Sequence, residues 1–166
     1  MNNNDILRGI RYALDLPDST IATLCKQGGH NLDKSSVAAL LKKEGEEGFL
    51  ACSDAVLAAF LDGLIIQQRG PRENNAEQTS TPSPLTNNVI LKKLRIALEL
   101  QEDTLLKILE TADTGITKAK LNALFRKEGH KNYKECGNQF LRSFLKGLAI
   151  HFREQRVTSP AKQKTR

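Results

Sequence analysis

The chain has 166 residues, of which 39% are hydrophobic, 27% charged and 5% aromatic, and its formal net charge is +6. Its longest apolar run, residues 55–61, is much shorter than the ~20 residues that a membrane-spanning helix needs, so we expect no membrane association. The three cysteines are odd in number, and residues 1–5 lack the basic start and apolar stretch of a signal peptide. We therefore expect a cytoplasmic protein with reduced thiols.

The sequence is duplicated. Sliding it along itself by 84 positions aligns its two halves without a gap, and about a third of the paired positions are identical. Asn3-Asn4 falls on Asn87-Asn88, and Cys52 falls on Cys136. Such a self-match indicates a repeat architecture. Each unit is near the smallest size that folds alone, so we expect the halves to pack on each other or to pair between chains.

Each half predicts four helices. The first begins at the paired asparagines, whose side chains suit helix capping, and Arg11/Asp15 and Arg95/Glu99 are spaced to pair one turn apart. The second follows the breaks at Pro17-Asp18 and Gln101-Glu102, and Gly28-Gly29 ends the first copy. The third starts at the capping residues Asp33 and Thr117 and stops at Gly45 and Gly129.

The fourth helix of each half is the most apolar and has a glycine at its centre, Gly63 or Gly147. Glycine inside a helix is unfavourable by about 1 kcal/mol relative to alanine, so its presence in both copies indicates a close backbone contact. The two fourth helices could cross at these glycines in a core with pseudo-twofold symmetry. Alternatively, each glycine could contact a helix of its own half.

The predicted architecture is all-α, with two tandem four-helix repeats packed with pseudo-twofold symmetry. The first repeat comprises residues 1–70 and the second residues 87–154. Residues 71–86 are polar and proline-rich, which predicts a flexible linker. Residues 155–166 are basic without apolar pattern, which predicts a disordered tail.

The repeated motifs also resemble a known family. Asn-Asn-x-Ile-Leu, Leu-Arg-x-Ala-Leu, Lys-Glu-Gly, a cysteine and Phe-Leu-x-Gly-Leu together are similar to the YehS-like family of bacterial cytoplasmic proteins, which consist of a tandem domain of unknown function. The resemblance covers about residues 2–154. It implies a bacterial origin and a duplicated helical fold. It transfers no catalytic or binding residue.

Catalytic and metal-binding motifs are absent from the sequence. It contains no glycine-rich phosphate loop, no His-Glu-x-x-His and no Gly-x-Ser-x-Gly. His130 and Cys136 lack the companion ligands of a zinc site, and Cys52 and Cys136 are typical of buried packing residues. We therefore expect neither an enzyme nor a cofactor or metal ion.

Charge differs between the repeats. Residues 1–70 carry 7 Lys and Arg against 9 Asp and Glu, whereas residues 86–154 carry 13 against 8. The basic residues of the second repeat, with one tyrosine suited to base stacking, form a candidate nucleic-acid-binding set. Its members are Lys118, Lys120, Arg126, Lys127, Lys131, Tyr133, Lys134, Arg142 and Lys146. The second and third helices loosely resemble a helix-turn-helix, but their connection is longer than its usual turn.

Two functions remain open. The first is a non-catalytic module that binds DNA or RNA through the basic second repeat. The alternative is a protein-interaction or structural module, homo-oligomeric and without a nucleic-acid ligand, because two copies of opposite charge could pair between chains.

Overall fold

A computed structural model describes residues 1–69 and 85–158 of the chain. These residues form eight helices and no strand, which confirms the all-α fold class. The first repeat contains α1 (Asn3–Leu14), α2 (Asp18–Gln27), α3 (Lys34–Leu40) and α4 (Asp54–Arg69). The second contains α5 (Asn87–Leu98), α6 (Glu102–Thr111), α7 (Lys118–Leu124) and α8 (Asn138–Thr158).

The two repeats pack reciprocally. Helix α1 of the first repeat lies along α8 of the second, and α5 of the second lies along α4 of the first. Within each repeat, α2 packs on α4 and α6 packs on α8. The buried apolar residues of all these helices form one continuous core, so the repeats pack on each other, which was one of the two alternatives that the sequence left open.

Both central glycines are used inside their own repeat, so a crossing of α4 with α8 at these residues was the wrong alternative. A Cβ on Gly63 would lie 1.9 Å from the carbonyl oxygen of Leu24 on α2. A Cβ on Gly147 would lie 2.2 Å from that of Ile108 on α6. The glycines therefore let the second helix of each repeat approach the backbone of the fourth.

The paired asparagines do not cap the first helices. Asn2 and Thr86, one residue earlier, accept the capping hydrogen bonds from Asp5 N and Val89 N. Asn4 is instead buried, donating to the carbonyls of Leu40 and Leu50 and accepting from Cys52 N. Asn88 makes the matching three hydrogen bonds in the second repeat, donating to Leu124 O and Lys134 O and accepting from Cys136 N. Each asparagine thus ties the first helix to the loop before the fourth.

Other local expectations also need correction. Arg11 pairs with Asp18 rather than Asp15, because Asp15 adopts a left-handed conformation at the end of α1. The third helices end at Leu40 and Leu124, well before the glycines predicted to stop them.

The ends of the predicted linker and tail differ as well. Thr86 caps α5, so it belongs to the second repeat and not to the linker. Helix α8 extends to Thr158, four residues beyond the predicted repeat, because no glycine or proline follows Gly147 until Pro160. The remaining linker and tail predictions concern residues 70–84 and 159–166, which lie outside the described residues.

Candidate anion-binding surfaces

The connection between α7 and α8 contains the largest group of predicted binding residues. We call residues 126–134 the basic loop. Arg126, Lys127, Lys131 and Lys134 are all exposed, and none forms an ion pair with another described residue. Backbone bonds hold the loop: Lys134 N donates to Ala123 O, and the Lys134 carbonyl accepts from Asn88. Four positively charged side chains are therefore exposed on a loop whose backbone is held by hydrogen bonds to α7 and α5.

The equivalent loop of the first repeat, residues 42–50, contains more acidic than basic side chains. It contains Glu46 and Glu47 where the basic loop has His130 and Lys131. Its charged groups also bond within the loop, since Lys42 donates to Glu47 O and Glu46 accepts from Lys43 N. The two loops share equivalent backbone hydrogen bonds but differ in the charge of their exposed side chains.

Tyr133 is half-buried, and its backbone N–H donates to the carbonyl of His130. Desolvation raises the pKa of its hydroxyl, with smaller contributions from the charges of Glu128 and Glu135. Only part of its ring is therefore available for base stacking.

The other predicted binding residues lie on helices. Lys118, at the start of α7, is within 3.7 Å of Glu102 and 3.9 Å of Asp103, which offset its charge. Lys120 is exposed on α7.

Arg142 and Lys146 project one turn apart from α8, and Arg142 donates to Gln139. Lys146 lines a groove against α1, whereas the basic loop is bonded to α5, so the predicted set is divided between two surfaces.

The α1–α8 groove has a volume of about 660 Å³. The lining side chains are mainly apolar along the floor and charged along the rim, and comprise Asp5, Arg8, Arg11, Tyr12, Leu41, Leu145, Lys146, Ala149, Ile150 and Arg153, with Gly9. The guanidinium of Arg153 lies 3.8 Å from the centroid of the Tyr12 ring, a cation–π contact. Arg8 bonds to Asp5 and to the carbonyl of Lys42, while Lys146 forms no ion pair with a described residue.

Sequence reasoning missed this groove because its walls come from opposite ends of the chain. The one available signal was Tyr12, an aromatic residue outside the apolar stripe of the predicted first helix, and in the structure it is 55% exposed. Nothing in the sequence, however, places α1 beside α8.

The three cysteines are buried and form no disulfide bond. Burial raises the pKa of Cys25 and Cys136 to about 11. It raises that of Cys52 to about 12, with a smaller contribution from the neighbouring Cys25. Thiols that remain protonated at neutral pH are poor nucleophiles and poor metal ligands.

Neither a membrane-spanning helix nor a metal cluster is found in the parts of the chain that the structure describes. None of those helices is both long and apolar enough to cross a bilayer. No three His, Cys, Asp or Glu side chains among the same residues are grouped so that they could hold a metal ion.

Comparison with known proteins identifies the repeated unit. The family described as "Protein of unknown function (DUF1456)" matches residues 3–70 and again residues 87–154. The chain belongs to this family. It is also 41% identical over 149 residues to the "Uncharacterized protein YehS" of Escherichia coli (strain K12), covering 90% of this chain and 95% of that protein. No solved structure matches the chain. The family match confirms both the resemblance and the tandem organisation.

Proposed function

We propose that this protein is a non-catalytic binding module that holds the phosphate backbone of a nucleic acid on the basic loop. The observation that carries the proposal is a set of four exposed cations, Arg126, Lys127, Lys131 and Lys134, none of which forms an ion pair within residues 1–69 and 85–158. Lys and Arg that neutralise phosphates release condensed counterions, which drives sequence-independent binding.

The comparison between repeats supports this assignment. The two loops are anchored by equivalent buried asparagines, Asn4 and Asn88, so the fold does not require either charge pattern. The first repeat places glutamates at the positions of His130 and Lys131. Arg126 and Lys127 have basic counterparts in Lys42 and Lys43, and Lys134 replaces an uncharged leucine, so the second repeat gains its extra positive charge at Lys131 and Lys134.

The proposed contacts hold the phosphate backbone of the nucleic acid and do not recognise its bases. The basic loop offers lysine and arginine side chains, which are typical phosphate ligands. The third helices, the equivalents of a recognition helix, have only seven residues each. We therefore expect little sequence preference and a strong dependence on salt.

The test is fluorescence anisotropy with labelled duplex DNA and with single-stranded RNA across a series of salt concentrations. The variant is Lys127→Ala, Lys131→Ala and Lys134→Ala combined. The matched control is Lys26→Ala, Lys34→Ala and Lys43→Ala, which removes the same charge from exposed positions of the first repeat. Each phosphate contact contributes about 0.9 to the logarithmic salt slope on duplex DNA.

We expect the basic-loop variant to bind more weakly and its salt slope to fall by about 3, while the control keeps the parent slope. Equal losses in the two variants would mean that net charge alone drives binding. No binding by the parent, together with salt-dependent self-association in sedimentation, would instead favour the homo-oligomeric interaction module.

A further inference from the structure

Two pairs of equivalent positions, Gly9/Lys93 and Asp62/Lys146, make the two interfaces between the repeats differ in side-chain size as well as in charge. In the interface between α4 and α5, Lys93 pairs with Asp62. The equivalent positions in the interface between α1 and α8 hold Gly9 and Lys146. Gly9 removes the side chain that would cross the interface, and Lys146 replaces the carboxylate. The α1–α8 groove is therefore open at the place where its counterpart is spanned by an ion pair.

Packing alone does not require this opening. The three atoms nearest to a Cβ on Gly9 would all belong to the Leu145 side chain, with Cδ1 the closest at 3.3 Å and Cβ and Cγ at the ordinary contact distances of 3.7 and 3.8 Å. A larger residue could be accommodated by a small movement of that side chain, as Lys93 is accommodated in the equivalent place. Glycine inside a helix destabilises the fold relative to alanine, so the stability of the fold does not explain why residue 9 is a glycine and the groove is open there.

The lining specifies the chemistry of a ligand. The floor is aliphatic, formed by Leu41, Leu145, Ala149 and Ile150. At the rim, Lys146 has no ion-pair partner among the described residues, and Arg153 is held in place over Tyr12. Asp5 is already paired with Arg8, so the rim offers an excess of positive charge. The volume of about 660 Å³ falls within the range typical of small-molecule sites.

We propose that the α1–α8 groove binds an anionic amphiphile with a single alkyl chain. The chain lies on the aliphatic floor, and the anionic head bonds to Lys146 and Arg153. The Tyr12 ring holds the guanidinium of Arg153 at the rim, where it meets the head group. This site goes beyond the proposed function, because none of its contacts involves the basic loop.

The second repeat supplies the design of the test. Gly9→Lys combined with Lys146→Asp installs the ion pair of the other interface and fills the groove. Lys146→Gln leaves the groove open but removes the charge. Lys93→Gln combined with Asp62→Asn, which removes the pair from the other interface, is the matched control. Thermal unfolding monitored by circular dichroism checks that each variant is folded.

Isothermal titration calorimetry is carried out with decanoate below its micellar concentration, with decanol as the uncharged analogue and with AMP as an anion with an aromatic body. We expect the parent and the control to bind one decanoate with a negative heat-capacity change, the signature of apolar burial. We expect the filled-groove variant to lose at least tenfold in affinity. Lys146→Gln should weaken decanoate binding and leave decanol binding unchanged.

Three results would overturn the inference. These are no binding of decanoate by the parent, equal binding by the filled-groove variant, or tighter binding of AMP than of decanoate. The basic-loop variant of Lys127, Lys131 and Lys134 should bind decanoate like the parent. Nucleic-acid binding should likewise survive in the filled-groove variant, so failure of one proposal is distinguishable from failure of the other.

Discussion

Replacement of Gly63 by alanine is the sharpest test of how the helices pack. The new Cβ would lie 1.9 Å from the backbone oxygen of Leu24, whereas ordinary contacts begin at 3.4 Å. The shortfall is about 1.5 Å, and a backbone oxygen cannot rotate away as a side chain can. Overpacking of this kind costs up to about 3 kcal/mol. Alanine regains about 1 kcal/mol of helix propensity, which leaves a net loss of about 2 kcal/mol.

Urea unfolding followed by circular dichroism measures this loss as a lower midpoint at unchanged slope. The matched control is Gly9→Ala, also inside a helix, where the nearest atom is the movable Cδ1 of Leu145 at 3.3 Å. We expect the control to be neutral or stabilised by up to about 1 kcal/mol. Gly147→Ala should behave like Gly63→Ala, since its Cβ would lie 2.2 Å from Ile108 O. A Gly63→Ala protein as stable as the parent would refute the packing described here.

Three further predictions concern buried or partly buried groups. Asn4→Ala removes the hydrogen-bond partner of two carbonyls and one N–H, so it should lower the free energy of unfolding by about 1–3 kcal/mol. The control, Asn31→Ala at an exposed position, should change that free energy by at most about 0.5 kcal/mol. The buried thiols should react with Ellman's reagent only at the rate of unfolding; fast labelling of the native protein would contradict their burial. Burial and then Lys107 lower the pKa of His151, so stability should decline as pH falls below about 6.5 in the parent and less in His151→Asn.

Local signals in the sequence were sufficient to place most helices. Asp33 and Thr117 cap the third helices through hydrogen bonds from Ser36 N and Lys120 N, as their side chains predicted. Pro17-Asp18 separates α1 from α2 because proline favours the start of a new helix. These features depend on a few neighbouring residues, and the repeat provided each of them twice.

Features that depend on distant contacts were less predictable. The central glycines correctly indicated a close backbone approach, but helical periodicity does not say which helix approaches. Asn4 illustrates the same limit, because its three partners are 36 to 48 residues away in the chain. Capping is the ordinary use of asparagine near a helix start, and tertiary hydrogen bonds displaced it here.

The candidate site was only partly accessible for the same reason. Exposed lysines of the basic loop follow from composition and turn position. Lys146 was grouped with them because it is basic, although its neighbours are Tyr12 and Arg153 in the α1–α8 groove. Identifying that groove requires knowing that the first and last helices of the chain are adjacent.

Reciprocal packing explains how a duplicated chain can have an open groove at one interface between its repeats and an ion pair across the other. Each interface between repeats combines the first helix of one copy with the last helix of the other, so an isolated repeat contains only one wall of each. In a dimer of identical repeats, the two interfaces would be equal by symmetry, and any change would open or close both. Joining the copies in one chain removes that constraint. Lys93 and Asp62 can then span one interface, while Gly9 and Lys146 leave the other open.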